Sequence, residues 1–362
     1  MKKIIKLFDP IFGKEEETAL IKTLRSHFWA SGSGTGRVKE FEEKFRNYIK
    51  TKACVAVNSG TSALHLALSL IDLKRSEVIL PSLSFVSTAH AVISNGGIPV
   101  FVDVDPKTLC IDPTLIEDVI SDKTKIVLPV HFAGLACDLT NIQKICRKHG
   151  IILMEDAAHA AGTTYKNKKI GTHGTAVCFS FHPVKNLAMP TGGAITLNDK
   201  NSNEYENILK IRRWCGISNR QGATYDITQL GWNSYLNEFS ATIGIKQLKK
   251  LDSRNKKRKK IAKRYSKELK LENKMPFNNE CSYHFYWICV KNRSNFMKKM
   301  AERGIETGIH YRPIHTMSMY KKFESQLPFT EKIGREIVSI PTHPNLTEDD
   351  TTKVIESINK FS

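Results

Sequence analysis

Three short stretches carry side chains whose types and order suit one piece of chemistry. The first is Val57-Asn58-Ser59-Gly60-Thr61-Ser62-Ala63-Leu64-His65, where a short apolar run ends at a glycine and two hydroxyl residues open a run with helical spacing. Free N–H groups at a helix start, the positive end of its dipole and the hydroxyls of Thr61 and Ser62 make a seat for a phosphate. Plain capping of the helix by the same residues is the alternative. The stretch is neither G-x-G-x-x-G nor G-x-x-x-x-G-K-[ST], which removes support from dinucleotide and P-loop readings. The second stretch is Ile151-Ile152-Leu153-Met154-Glu155-Asp156-Ala157-Ala158-His159. Two acids close a run that is otherwise wholly apolar. One carboxylate there should face a crevice, where it can hold a ring nitrogen protonated or bind a metal, unless the pair only caps the next segment. The third is Phe179-Ser180-Phe181-His182-Pro183-Val184-Lys185-Asn186-Leu187, followed by Thr191-Gly192-Gly193. An apolar run breaks at Pro183 and delivers Lys185 into a loop. A lone lysine is usually a solvated surface charge. A phosphate seat, an acid at a strand end and a lysine about thirty residues later are, together, the parts that pyridoxal phosphate needs. They would serve as an anchor, a partner for the pyridine nitrogen and an amine for the aldehyde.

Those stretches need a scaffold that gathers strand ends. Apolar runs at 54–57, 78–80, 99–104, 125–130, 151–154, 176–181 and 194–197 read as strands, interleaved with helical stretches near 61–70, 86–93, 113–120 and 140–149. This alternation predicts an α/β fold with a seven-stranded, mostly parallel sheet covered on both faces. Ligands in such sheets bind outside the carboxyl ends of the strands. Ahead of the sheet lie a helix within 10–29, with Ala19, Leu20, Thr23 and Leu24 inward, and a helix over 38–48 with Val38, Phe41, Phe45 and Tyr48 inward. Between them, the glycine-serine run from position 31 to 36 reads as a mobile loop, either a bare linker or a gate over a site. From 246 to 270 the chain becomes a basic amphipathic helix, and a strand near 286–290 with helices near 296–303 and 347–358 predicts a smaller α+β domain. The expected division is 1–245 for a large domain with its amino-terminal arm and 246–362 for a small one.

The totals are those of an ordinary folded protein, 41% hydrophobic and 25% charged over 362 residues. The formal charge of +19 attracts polyanions, but no helix-turn-helix or zinc motif accompanies the lysine-rich helix, so a solvated face is preferred over nucleic-acid contact. The positive field still favours a phosphate-bearing small substrate. Eight scattered cysteines, with no C-x-x-C pair and no zinc-ligand spacing, predict reduced thiols, no metal site and a cytoplasmic protein. The start Met1-Lys2-Lys3-Ile4-Ile5 resembles a signal peptide, but Lys6, Asp9 and Pro10 stop it short of an apolar core. No segment reaches the roughly eighteen apolar residues of a membrane span, so no membrane partner is expected.

Taken with Pro81-Ser82-Leu83-Ser84-Phe85-Val86, Phe101-Val102-Asp103-Val104, Val130-His131-Phe132-Ala133-Gly134, Gly231-Trp232-Asn233, His310-Tyr311-Arg312-Pro313-Ile314-His315 and Ile340-Pro341-Thr342-His343-Pro344, the three stretches give the chain a family likeness. Over nearly its whole length it resembles the DegT family of sugar aminotransferases, fold type I enzymes that use pyridoxal phosphate to aminate keto-sugars attached to nucleotides. The resemblance implies that Lys185 is the Schiff-base lysine and Asp156 the partner of the pyridine nitrogen. It places Gly60, Thr61 and Ser180 on the phosphate, with Ser62 in the same helix start, and Phe85 on the ring. Asn233 would reach the phosphate of the other subunit in a homodimer with shared active sites. His159 lies beside the cofactor stretch, either touching the cofactor or simply packed. The substrate should lie towards Ser31, Gly36, His310, Tyr311 and His315, with L-glutamate as the usual donor. Two positions depart from the family pattern: Thr191 stands where an acid is common, and Tyr235 where an arginine is common. Both border the substrate pocket. A dehydratase of the same fold would carry a histidine in place of Lys185.

Overall fold

A computed structural model of the chain describes residues 4–323 and 325–362; the first three residues of the basic amino-terminal run lie outside the described residues. Every apolar run read as a strand forms one: β1 Ala53–Val57, β2 Glu77–Pro81, β3 Ile98–Val102, β4 Thr124–Val127 and β5 Ile152–Asp156. After a small hairpin, β6 Thr164–Tyr165 and β7 Lys168–Lys169, come β8 Ala176–Ser180 and β9 Gly193–Leu197. One sheet of seven strands has the order β1-β9-β8-β5-β4-β2-β3. Its pairs are parallel from β3 through β8, and β9 alone runs against both neighbours. The reversal has a local cause. A parallel return needs a crossover, usually a helix, whereas β8 and β9 are joined by a helix-free loop over 181–192. That loop carries Lys185, so the reversed strand pins both ends of the lysine segment to the sheet.

The helices on the two faces are α1 Lys14–Arg25, α2 Gly36–Ile49, α3 Gly60–Leu68, α4 Ser87–Ser94, α5 Leu139–His149 and α6 Ser202–Arg212. The helix expected at 113–120 is instead two 3-10 turns, Pro113–Leu115 and Glu117–Val119. Ile116 is the one fully buried side chain of the stretch, with Val119 and Ile120 only partly buried against the core, so little packing supports a continuous helix there. In α1, Thr23 is buried as expected, but Leu24 is 52% exposed and the other inward position is Glu16, which meets Lys250 at 3.0 Å.

An exposed hairpin follows α6, β10 Ile217–Gln221 with β11 Thr224–Ile227. Then α7 runs unbroken from Glu238 to Glu268. One helix therefore spans the composition change at 245/246. Its buried face packs on α1 and α2 in its first half, and the same apolar cluster continues from Phe41 and Leu248 to Ile288 and Ile340. The remaining elements are β12 Tyr286–Cys289, α8 Arg293–Glu302, α9 Pro328–Glu336, β13 Ile337–Ile340 and α10 Glu348–Phe361. Among the described residues, no helix is long and apolar enough to cross a membrane.

The glycine-serine run over 31–36 is held, which corrects its reading as a mobile loop. Arg213, fully buried, donates from Nη2 to the Ser33 carbonyl at 3.2 Å and from Nη1 to the Ala56 carbonyl at 2.8 Å and to Glu42 Oε1. Glu42 in turn accepts the Ala56 N–H at 2.8 Å. Gly34 stands so close that a side-chain carbon there would meet Arg213 Nη2 at 1.8 Å. Removing the guanidinium strands a buried carboxylate. Arg213→Met is expected to destabilise the fold by about 3–5 kcal/mol, read as a lower urea midpoint, and the double change with Glu42→Leu by less than the sum.

Candidate active site

Alternate residues of a strand face opposite sides of the sheet. At the carboxyl end of β5, Asp156 faces a pocket of about 310 Å³, whereas Glu155 turns away from it. Glu155 meets His131 Nε2 at 2.8 Å, both side chains wholly buried. His131 Nδ1 accepts the Cys137 N–H at 3.1 Å, which leaves its proton on Nε2, directed at Glu155. Of the two acids, only Asp156 is available to a ligand. Its Oδ2 accepts the Thr88 hydroxyl at 2.9 Å and its Oδ1 the Ala158 N–H at 3.0 Å. Burial raises its pKa, while those two hydrogen bonds and the charge of Lys185 pull it back down.

Lys185 sits where the 181–192 loop turns back, its N–H bonded to the His182 carbonyl at 2.8 Å. Its side chain enters the same pocket, and Nζ lies 3.4 Å from His284 Nε2. Burial lowers the lysine pKa to about 8, with Asp156 opposing the shift. At neutral pH roughly a tenth of the side chain is the free amine, against well under a thousandth for an ordinary lysine. In cofactor-free protein, capture of an aldehyde at Lys185 should therefore speed up with rising pH and level off above about 8 instead of near 10.5. Stopped-flow absorbance at a series of pH values measures this; levelling only near the ordinary lysine value would contradict it.

Helix α3 begins at the mouth of the pocket. Ser59 caps it, its Oγ accepting the Ser62 N–H at 3.0 Å, and the Ser62 hydroxyl donates to Asn58 Oδ1 at 2.7 Å. Ser62 is thus spent on the cap and does not line the pocket. The N–H groups of Gly60 and Thr61 point out of the first helical turn with no place in its ladder. Gly60 is required by contact: a side-chain carbon there would meet Ser180 Cβ at 2.7 Å and its backbone Cα at 3.2 Å. Ser180 and Thr61 complete this cradle. Gly60→Ala is expected to push α3 off β8 and weaken binding of a phosphate-bearing cofactor about ten- to a hundredfold, measurable by titration of the apoprotein.

Rings make the other wall. Phe85 is 56% exposed and tilted against Tyr311, their centroids 5.9 Å apart. Tyr311 stacks on His159, whose Nε2 is 2.9 Å from the Tyr311 hydroxyl, and His310 Nδ1 meets Ser339 Oγ at 2.9 Å. His159 and His310 are both held neutral by burial. Thr191, the departure from an acidic position, lines the pocket and donates its hydroxyl to the Asn58 carbonyl.

The structure thus gathers Lys185, Asp156, Gly60, Thr61, Ser180, Phe85, His159, His310 and Tyr311 around one cavity. The other expected residues lie outside its lining. His315 is bonded to Ser82 Oγ at 2.7 Å and fastens its segment to the end of β2. Ser31 bonds Ser33, 2.7 Å between hydroxyls, and Gly36 packs against Glu238 and Phe28. Asn233 is exposed on the surface, its carbonyl accepting from Asn58 Nδ2 at 3.2 Å. Thr88 and His284 belong to the site without having been singled out. Thr88 lies one helical turn beyond Phe85, a spacing from which it could have been found. His284 lies in the aromatic run 283–287, and nothing in that pattern separates it from its neighbours.

The pocket offers an amine, a buried carboxylate, a helix-start anion seat and an exposed ring, each matching one part of pyridoxal phosphate. Fold and site together define a fold type I, pyridoxal phosphate-dependent enzyme. Residues 10–359 match the model of the DegT/DnrJ/EryC1/StrS aminotransferase family, and the chain belongs to that family. It is 34% identical over 371 residues to the spore coat polysaccharide biosynthesis protein SpsC of Bacillus subtilis, covering 96% of this chain and 95% of SpsC. It is similar in structure to PseC of Helicobacter pylori, an aminotransferase involved in the biosynthesis of pseudoaminic acid, with a TM-score of 0.93, 28% identity and 99% of each chain covered. It is similar also to the putative sugar aminotransferase Spr1654 of Streptococcus pneumoniae in its pyridoxal phosphate form, with a TM-score of 0.93, 26% identity, and 99% of this chain and 98% of that one covered.

Proposed function

We propose that the protein moves an amino group from an amino acid, L-glutamate, to the ketone of a nucleotide-linked keto-sugar, in the making of a surface glycan or a related polysaccharide. The observation that carries the reading is the arrival of the Lys185 amine and the Asp156 carboxylate in one pocket from adjacent strands β8 and β5. Likeness to PseC and SpsC supports a sugar as the acceptor. The high positive charge favours a substrate bearing phosphates.

Pyridoxal phosphate supplies an aldehyde for the amine and a ring that withdraws electrons from the reacting carbon. Lys185 would hold that aldehyde through its side-chain nitrogen and, once free, would act as the general base towards the proton on the donor's α-carbon. Asp156 keeps the pyridine nitrogen protonated. Gly60 and Thr61 N–H groups with the Ser180 hydroxyl bind the phosphate, and Phe85 covers the ring. His310 and Tyr311 form the wall that the sugar meets. Asn233, exposed on its own subunit, reaches the partner's phosphate in a cytoplasmic homodimer with shared sites.

The test is to incubate the holoenzyme with glutamate and a panel of nucleotide-linked keto-sugars and follow products by mass spectrometry. An amino sugar formed with matching loss of glutamate is the expected result. Failure to aminate any keto-sugar with any amino-acid donor overturns the proposal. A dehydrated sugar formed without consumption of donor would mark a dehydratase, a reading that Lys185 opposes.

A further inference from the structure

His284 plays no part in the mechanism above, yet its Nε2, 3.4 Å away, is the one side-chain hydrogen-bond partner of Lys185 Nζ among the described residues. The imidazole is 1% exposed and is fixed on several sides. Its ring lies nearly parallel to Phe8 at 5.3 Å and to His159 at 4.7 Å, forming a stacked column that continues to Tyr311. Its backbone N–H donates to the Ala133 carbonyl at 2.9 Å, and its carbonyl accepts from Arg258 at 3.1 Å. A ring clamped in this way cannot swing towards solvent, and its Nδ1 is buried without a hydrogen-bond partner. All of its polar capacity towards the pocket is directed at one lysine nitrogen.

We propose that His284 is a positioning residue for Lys185: it accepts a hydrogen bond from the freed lysine while that lysine carries the substrate's proton, and so aims the ammonium at the reacting carbon. The proposal rests on the function assigned above. The lysine takes the proton from the donor's α-carbon and gives it up to the reacting carbon; at no point is that proton transferred to His284. Burial and the neighbouring positive charges hold the imidazole basicity far below that of lysine, which excludes transfer to the ring. The ionisable groups facing Lys185 are Asp156 from β5, His159 and His310 across the pocket, His182 in its own loop, and His284; Arg258 faces His284 from α7. Asp156 is the only carboxylate among them. His284 is thus the neutral acceptor on the side that Asp156 does not reach.

The test compares His284→Phe, which keeps a ring on Phe8 and His159 but has no acceptor, with His284→Gln, whose Oε1 can occupy the place of Nε2. For the Phe variant kcat should fall about 10- to 100-fold with little change in the KM for donor. The pH at which aldehyde capture levels off should also move downward, because an ammonium without its acceptor is less favoured. The Gln variant should recover part of the rate and return the pH midpoint towards wild type. Borohydride reduction with peptide mapping, applied to each protein, shows whether Lys185 still holds the cofactor. A Phe variant with wild-type kcat and pH midpoint overturns the proposal. So does an equal loss in both variants with unmoved pH midpoints, which is the result of a merely structural role. If the Phe variant does not fold, His284→Leu, also without an acceptor, takes its place and is read against the Gln variant by the same outcomes. An unlabelled Lys185 in the wild-type enzyme would instead remove the underlying functional assignment.

Discussion

Lys185→Ala is expected to lower transamination by about ten-thousandfold or more, because the proposed function gives one side chain two tasks, holding the cofactor aldehyde and moving the proton. The same variant should lose the visible absorbance of the cofactor-bound protein and the label left by borohydride. It should not lose the fold. Lys185 is set in a loop whose course is held by the Met189 N–H to Phe181 carbonyl bond and by Asn186, which bonds Asn255 and the Ser282 carbonyl at 2.9 Å each. Truncation also removes a cation that burial makes costly, so thermal unfolding of the apoprotein should show no decrease in midpoint. A Lys185→Ala protein that turned over at a rate near wild type would refute the assignment of the site.

Asp156→Asn is expected to reduce kcat by roughly a hundred- to a thousandfold while leaving the cofactor bound. Asparagine matches the carboxylate in shape, and its oxygen can still accept the Ala158 N–H. The Thr88 hydroxyl, which also lies 2.8 Å from Ser84 Oγ, can reverse and accept from the new amide. What is lost is the negative charge that, in the proposed function, holds a proton on the pyridine nitrogen. The loss should be in the proton-transfer step, visible as a larger isotope effect with α-deuterated glutamate. Unchanged kcat and isotope effect would show that Asp156 does not face the ring nitrogen.

Much of this was legible along the chain. The seven strands announce themselves because both faces of the sheet are covered, so their residues are apolar without alternation. The strand ends then mark Asp156 and Lys185, since polar residues break the apolar runs there. Other features were not. The reversed direction of β9 follows from a short connection, and periodicity does not report strand direction. The expected helix at 113–120 failed for want of a buried face, with Ile116 its one fully buried side chain. The glycine-serine run at 31–36 has the composition of a loose linker and is nonetheless fastened, because its anchor, Arg213, is 180 positions from Ser33 in the chain.

The order of residues alone determined which groups are available: one lysine after one strand, an acid pair closing another, and a hydroxyl-rich helix start after a third. Local rules govern these, because burial pattern, turn chemistry and helix capping act over a few neighbours. Tertiary structure decided which of two adjacent acids faces the pocket, since that depends on the direction a strand's face is turned, and it gave Glu155 to His131 instead. It also decided that His284 stands beside Lys185, 99 positions away. Contacts between such distant positions arise only when separate layers close on a common core, and no local pattern records them.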